Sequence, residues 1–369
     1  MSKKVMNRRN FLKTAAVTGT ALLAGEILQK GGPKAEAAEV PKKMRTITIE
    51  EHFATPDFVK SYRGPGNPQA VTKLADLGQG RIADMDAAGI DVQVLSLNAP
   101  GVEQLDATEA VKVARDANDL LADAVQRHPT RFAGFASLPT MSPETAVEEL
   151  DRTVRKLGFK GALINGATRG RYLDDKFFCP ILERAEALQV PLYLHPTALP
   201  RPIIEACYTG NFSAQVTNLL STSAWGWHID TAIHTLRIIL SGAFDQYPHL
   251  QLIIGHLGEA LPFMLPRMDR QLPMAVTKLR RPVSAYLREN VYYTIAGFNF
   301  TPPFLDLLSE VGAHRIMFSA DYPYGSMSET RQYPYESMSE ARQFLEKLPV
   351  SPADKERIAH GNAEALLRL

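Results

Sequence analysis

Residues Leu250 to Glu259 read LQLIIGHLGE, an almost unbroken apolar run that stops at a histidine and, three residues later, a glutamate. A short run without polar alternation fits a strand covered on both faces, as in a parallel sheet with helices packed outside it. Seven further short, β-rich apolar runs stand along the chain, at Thr46 to His52, Asp91 to Leu97, Phe132 to Leu138, Phe159 to Asn165, Pro191 to His195, Val291 to Ala296 and Arg315 to Ala320. Longer segments of helical periodicity separate them, among them Ala107 to Arg127 and Pro143 to Leu157. The second opens with Ser142-Pro143-Glu144, an N-cap followed by proline in the first turn. Eight strands alternating with helices predict an α/β fold, a closed (β/α)8 barrel of TIM type. A doubly wound open sheet is the competing architecture, but no glycine-rich phosphate loop follows the first strand.

The 369 residues are 45% hydrophobic and 22% charged, with 41 lysines and arginines against 40 aspartates and glutamates. That balance gives no reason to expect nucleic acid or an acidic membrane surface as partner, and a small-molecule site becomes the default. The N-terminus differs from the rest. Arg8-Arg9-Asn10-Phe11-Leu12-Lys13, a mildly apolar run from Ala15 to Leu23 and Ala35-Glu36-Ala37 follow the order of an export signal with a small-residue cleavage site. The arginine pair resembles the twin-arginine signal, read by the Tat translocon, which moves folded proteins. Residues 1–38 are therefore expected to be a signal peptide, 39–369 a single barrel domain, and the mature protein periplasmic. Cys179 and Cys207 would meet an oxidising compartment, where pairing is permitted; free, buried thiols are expected. Tyr322 to Gln332, YPYGSMSETRQ, is nearly repeated at Tyr333 to Gln343, YPYESMSEARQ. Two copies are too few for a repeat architecture and read as an extended loop and helix after the eighth strand.

In such a barrel the active site lies at the C-terminal ends of the strands. Four of the runs end in strong ligands: Glu50-Glu51-His52, His195, His256 with Glu259, and Asp321. Side chains alternate along a strand, so Glu50 and His52 share one face and Glu51 takes the other, as an outward ion-pair partner. Two imidazoles and two carboxylates with an open position suit one divalent ion, Zn²⁺ or Mn²⁺. His128, His228, His234, His249, His314 and His360 fall in expected helices or turns and are read as ordinary hydrogen-bonded residues, with His228 the foremost exception.

At these positions the chain resembles the amidohydrolase superfamily, in its branch of non-oxidative hydroxybenzoate decarboxylases of the γ-resorcylate and 2,3-dihydroxybenzoate type. The resemblance rests on IEEHF at Ile49 to Phe53, LSLNAPG at Leu95 to Gly101, GALING at Gly161 to Gly166, LYLHP at Leu192 to Pro196, SGAFDQYPHLQLIIGHLGE at Ser241 to Glu259 and FSADYPY at Phe318 to Tyr324. It implies that Glu50, His52, His195 and Asp321 bind the metal and that His256 and Glu259 form a hydrogen-bonded pair beside it. It also implies that Arg267, Asn165 and Tyr324 border a small aromatic acid, and that the protein is a homo-oligomer, dimer or tetramer. Two departures stand out. Gly325 occupies a position where the family often has Glu, matched only by Glu336 in the second copy, and Arg63 to Pro65 lack the family's packing aromatic, with Tyr62 nearby.

The expected activity is that of a carboxy-lyase acting on an ortho-hydroxylated aromatic acid, with Asp321 as proton donor to the ring and His256, oriented by Glu259, assisting. The alternative is a hydrolase or hydratase that attacks a lactone, ester or amide with water activated by the same ion. A third reading, a metal- or aromatic-acid-binding protein without turnover, needs only the ligands and a pocket.

Overall fold

The computed structural model describes residues 44–57, 68–324 and 338–369. All eight expected runs carry strands: β1 Ile47–Phe53, β2 Val92–Leu97, β3 in two pieces, Phe132–Gly134 and Ala136–Ser137, β4 Ala162–Asn165, β5 Leu192–His195, β6 Leu252–Ile254, β7 Val291–Thr294 and β8 Ile316–Met317. Every neighbouring pair is parallel and in chain order. β3 is split at Phe135, whose first piece pairs with β2 and whose second pairs with β4. The ring closes where His52 N–H donates to the Tyr322 carbonyl at 2.8 Å, beside a parallel bridge between Glu51 and Tyr322. This is the (β/α)8 barrel, and it excludes the open sheet.

The closing seam corrects the reading of Glu51. It is fully buried, and its carboxylate accepts the backbone N–H of Ala320 at 2.8 Å and of Tyr322 at 3.2 Å. It thus ties β1 to the segment after β8 through hydrogen bonds, where an outward ion pair was expected. Burial pushes its carboxyl up to about 8.

Two apolar layers hold the barrel. The inner one takes Ile47, Ile49, Val92, Val94, Phe135, Leu163, Tyr193, Ile253 and Met317. The outer one packs the other strand faces on helices such as Ala107–Arg127 and Pro143–Arg155. Strict alternation would put Glu50 and His52 opposite Ile47 and Ile49. The register shows how both sets face inward: Thr48 pairs with Gln93 but Glu51 with Leu95, so β1 carries one extra residue. Such a β-bulge flips the side-chain parity, and bulges are common beside active sites.

Some local expectations change. Ser142 stands at the N-cap of its helix, but its hydroxyl pairs with that of Thr145 at 3.0 Å and makes no cap bond. Both cysteines are free; Cys179 is half-buried and Cys207 exposed, because helix Arg201–Cys207 buries none of its residues. Residues 1–38, Tyr62 to Pro65, Gly325 and Glu336 lie outside the described residues, as does most of the tandem pair; Met338 to Gln343 open helix Met338–Lys347. Among the described residues no helix is long and apolar enough to cross a membrane.

Candidate metal centre and active site

Glu50 and His52 near the end of β1, His195 at the last position of β5 and Asp321 just after β8 meet at the C-terminal mouth of the barrel. Ligand atoms from all four lie within 4.8 Å of one another. His195 Nε2 is 3.3 Å from Glu50 Oε1, and His52 Nε2 is 3.3 Å from Asp321 Oδ1. Glu50, His52 and His195 are buried, whereas one-fifth of the Asp321 side chain (20%) remains exposed. Glu50 Oε1 and both ring nitrogens of His52 make no hydrogen bond. Buried polar atoms left in that condition each cost about 1–3 kcal/mol. Their convergence with a second imidazole and a second carboxylate fits a divalent cation, for which this is the donor set of Zn²⁺ or Mn²⁺.

Neighbouring strands orient the ligands. Glu50 Oε2 accepts hydrogen bonds from the Tyr193 hydroxyl on β5 and from Thr294 Oγ1 on β7, at 2.9 Å, which turns Oε1 toward the cluster. Gly255 makes the room: a Cβ there would come within 2.6 Å of Glu50 Oε2. Burial would raise the Glu50 carboxyl, but His256, His195 and His52 outweigh it and hold it well below the ordinary carboxylate range. Burial lowers His52, favouring the neutral imidazole a metal requires. The carbonyl of His52 accepts from Arg81 Nη2 at 2.6 Å, and that fully buried guanidinium lies over the Tyr322 ring at 4.6 Å, bracing both sides of the seam. His195 Nδ1 is 3.0 Å from Asn165 Oδ1, which fixes the tautomer that leaves Nε2 for the cluster.

His256 and Glu259 follow β6 on an unusual piece of backbone. His256, Leu257, Gly258, Glu259 and Ala260 all have positive φ, between 50° and 89°. This is a left-handed turn, disfavoured for L-residues by roughly 1–2 kcal/mol each. It brings Glu259 Oε1 to 2.8 Å from His256 Nδ1, as expected, while His256 Nε2 faces Glu50 Oε1 at 3.7 Å. Burial depresses His256, but Glu259 and Glu50 push it up to about 10. The other oxygen of Glu259 meets the histidine read from sequence as the foremost exception among the ordinary ones: His228 Nδ1, at 2.6 Å. Phe298 packs edge-on against both rings, with centroids 5.1 and 5.6 Å away.

Of the three residues expected to border the substrate, Tyr324 lies at the site, its ring 5.9 Å from that of His52 and its hydroxyl donating to Asn98 Oδ1 at 2.6 Å. Asn165 is buried with its Oδ1 on His195. Arg267 is exposed on helix Leu261–Gln271, on the same turn as exposed Phe263 and Met264. Sequence reasoning missed Tyr193, Thr294, Glu103 and the partner of His228. Tyr193 carried a signal, standing two residues before His195 on the same strand face. Glu103 carried none: it lies in the loop after β2, fully buried, with Oε1 accepting from Asn165 N–H at 2.8 Å.

Comparison with known proteins agrees with this geometry. The model of the amidohydrolase family matches residues 52–369, and that of the twin-arginine translocation pathway signal sequence matches residues 5–25. The chain thus carries an export signal for the twin-arginine route. It is 38% identical over 338 residues to a γ-resorcylate decarboxylase of a Polaromonas species and 37% identical over 339 residues to one of Rhizobium radiobacter; each alignment covers 88% of this chain and 98% of the relative. A dihydroxybenzoic acid decarboxylase from Polaromonas, solved with manganese and the inhibitor 2-nitroresorcinol, superposes with a TM-score of 0.79 at 37% identity, over 88% of this chain and 97% of that one. A 2,6-dihydroxybenzoate decarboxylase in complex with 2,6-dihydroxybenzoate gives a TM-score of 0.78 at 35% identity, over 88% and 99%.

Proposed function

The chain belongs to the amidohydrolase family, and from that premise we propose that it is a metal-dependent, non-oxidative decarboxylase of an ortho-hydroxylated aromatic acid. The observation that carries the reading is the four-ligand cluster at the barrel mouth, with its buried atoms outside any hydrogen bond, in a chain 38% identical to a γ-resorcylate decarboxylase. Glu50, His52, His195 and Asp321 hold one divalent ion, Zn²⁺ or Mn²⁺. When bound, the ion supplies positive charge to the phenol and carboxylate oxygens of the substrate and holds its ring in register.

The remaining chemistry falls to side chains. Asp321 is the most exposed of the four. Gly297 brings only backbone against it, where a Cβ would stand a tight 3.3 Å from Asp321 Oδ2 and 3.7 Å from the His256 ring. A substrate ring can approach on that face. A proton on Asp321 adds to the ring carbon that bears the carboxylate. The bond to the carboxylate then breaks, its electron pair restores aromaticity, CO₂ leaves, and Asp321 recovers a proton from the next substrate's phenol or acid group. His256, oriented by Glu259, donates a hydrogen bond within the same cavity. Tyr324 borders the ring.

The mature protein acts in the periplasm, its export signal delivering it folded around its metal. It works as a homo-oligomer, a dimer or tetramer. Among the described residues every large apolar side chain exposed to solvent, except Leu369, lies between Ile203 and Leu305, with Phe263 at 76%. Exposed apolar side chains, where they gather into a patch, mark a protein interface.

The test is elemental analysis of the purified mature protein coupled to a CO₂-release screen over salicylate and the di- and trihydroxybenzoates. Near-stoichiometric metal with CO₂ from an ortho-hydroxy acid is the expected result. Metal without CO₂, joined to lactone hydrolysis, would transfer the site to the hydrolases of the family.

A further inference from the structure

We propose that His228, on helix Gly226–Leu240, is a positioning residue of the active site: its Nδ1–H clamps Glu259, and Glu259 in turn holds His256 with Nε2 toward the ligand cluster. The assignment starts from hydrogen-bond chemistry. His228 Nε2 is 2.9 Å from the Ser223 carbonyl, which can only accept, so this nitrogen carries a hydrogen. Nδ1 lies 2.6 Å from Glu259 Oε2, and the other oxygen of Glu259 lies 2.8 Å from His256 Nδ1. An ionised Glu259 accepts from both rings, which makes His228 a donor at both nitrogens, an imidazolium. Burial works against the ionised form of Glu259, but His256 and His228 outweigh it and the carboxyl is lowered. The chain of contacts then runs without a break from the Ser223 carbonyl through His228, Glu259 and His256 to Glu50, 3.7 Å from His256 Nε2.

The surroundings explain why a clamp is needed. Glu259 is fully buried, so without His228 one of its oxygens would face the interior unbonded. It also sits in a left-handed turn that L-residues resist, and from within that turn His256 holds one of its oxygens. The helix that supplies His228 buries it on the same side as Asp230, Thr231 and His234, together with the core residues Ala232, Ile238 and Ile239. The two histidine rings meet edge-on, centroids 4.7 Å apart, with Phe298 against both, which restricts their rotation and keeps water from the bonds between them.

For its kinetic consequence the proposal rests on the decarboxylase reading. His228→Leu is expected to keep its metal and a KM within about threefold of wild type while kcat falls about 10- to 100-fold. His228→Asn, whose amide N–H can take the place of Nδ1–H, recovers most of that loss. Independently of turnover, NMR of protein with isotope-labelled histidines should show both ring N–H protons on His228 and a low-field Nδ1–H on His256 that moves in either variant. His228→Leu with wild-type kcat, equal losses in the two variants, metal lost together with kcat, a singly protonated His228 or an unmoved His256 signal would each overturn the proposal. Should the leucine variant fail to fold, the asparagine variant and the wild-type spectrum decide alone. If the wild-type protein releases no CO₂ while the spectra behave as stated, the decarboxylase reading fails and the His228 clamp stands.

Discussion

Two clusters of histidine and carboxylate lie side by side at the mouth of this barrel, and each has the spacing to hold a metal: Glu50, His52, His195 and Asp321 in one, His228, His256 and Glu259 in the other. Their residue types are the same, but their hydrogen bonding is opposite. In the first, three buried ligand atoms make no hydrogen bond. In the second, both oxygens of the carboxylate and the facing ring nitrogens are paired at 2.6 and 2.8 Å. A metal must replace whatever a ligand atom already binds, so we assign the metal to the unsatisfied cluster and a positioning role to the satisfied one. Composition and distance alone do not separate the two; the accounting of donors and acceptors does.

That contrast can be broken most sharply at the two glutamates. Glu50→Gln should lose both metal and CO₂ release, whereas Glu259→Gln should keep the metal and lose turnover by about 10² to 10⁴. A Glu259→Gln protein without metal would erase the distinction. Within the first cluster, Asp321→Asn separates binding from chemistry: metal content stays close to wild type by elemental analysis while turnover drops, again by about 10² to 10⁴. Retained turnover would remove Asp321 from the role of proton donor. A milder probe is Gly255→Ala, whose Cβ would stand 2.6 Å from Glu50 Oε2. Metal affinity should weaken about 10- to 100-fold, with a loss of about 1–3 kcal/mol in denaturant stability from overpacking. His228, outside this contact, should leave metal affinity as it is when replaced by asparagine.

The smallest effect concerns a third buried histidine, which solves its burial in another way. His234 Nε2 accepts the Leu173 N–H at 2.9 Å, and burial, with Arg237 nearby, depresses the ring to about 3. The folded value lies below the unfolded one, so the unfolded chain binds the extra proton as pH falls from 6.5 toward 3, and stability is lost in that window. Between pH 7 and 5 the His234 contribution should weaken by roughly 2 kcal/mol. Urea titrations of wild type and His234→Gln, which keeps an acceptor without the titration, measure the difference. Parallel pH dependence in the two proteins would contradict it.

The barrel and the cluster of Glu50, His52, His195 and Asp321 were legible because both are written in short-range patterns: apolar runs of strand length, and polar residues at their C-terminal ends. The Glu50 and His52 pair was legible for the same reason, as two positions of one strand face. What surrounds them was not. The bulge in β1, which turns Glu50 and His52 inward above Ile49, is set by pairing with β2, a partner more than forty residues away. The left-handed turn from His256 to Ala260 includes four residues other than glycine, so no local propensity announces it. His228 reads as one polar position on an apolar helix until tertiary packing places it on Glu259. Glu103 and Arg81, both fully buried, act through backbone groups of distant strands and have no sequence pattern at all.

The most direct measurement is crystallography of the manganese-loaded protein with anomalous scattering to locate the ion. The account predicts a single strong peak among Glu50, His52, His195 and Asp321, with Glu259 still bridging His228 and His256. A peak between His228, His256 and Glu259, or an ion shared between the two clusters, would contradict it.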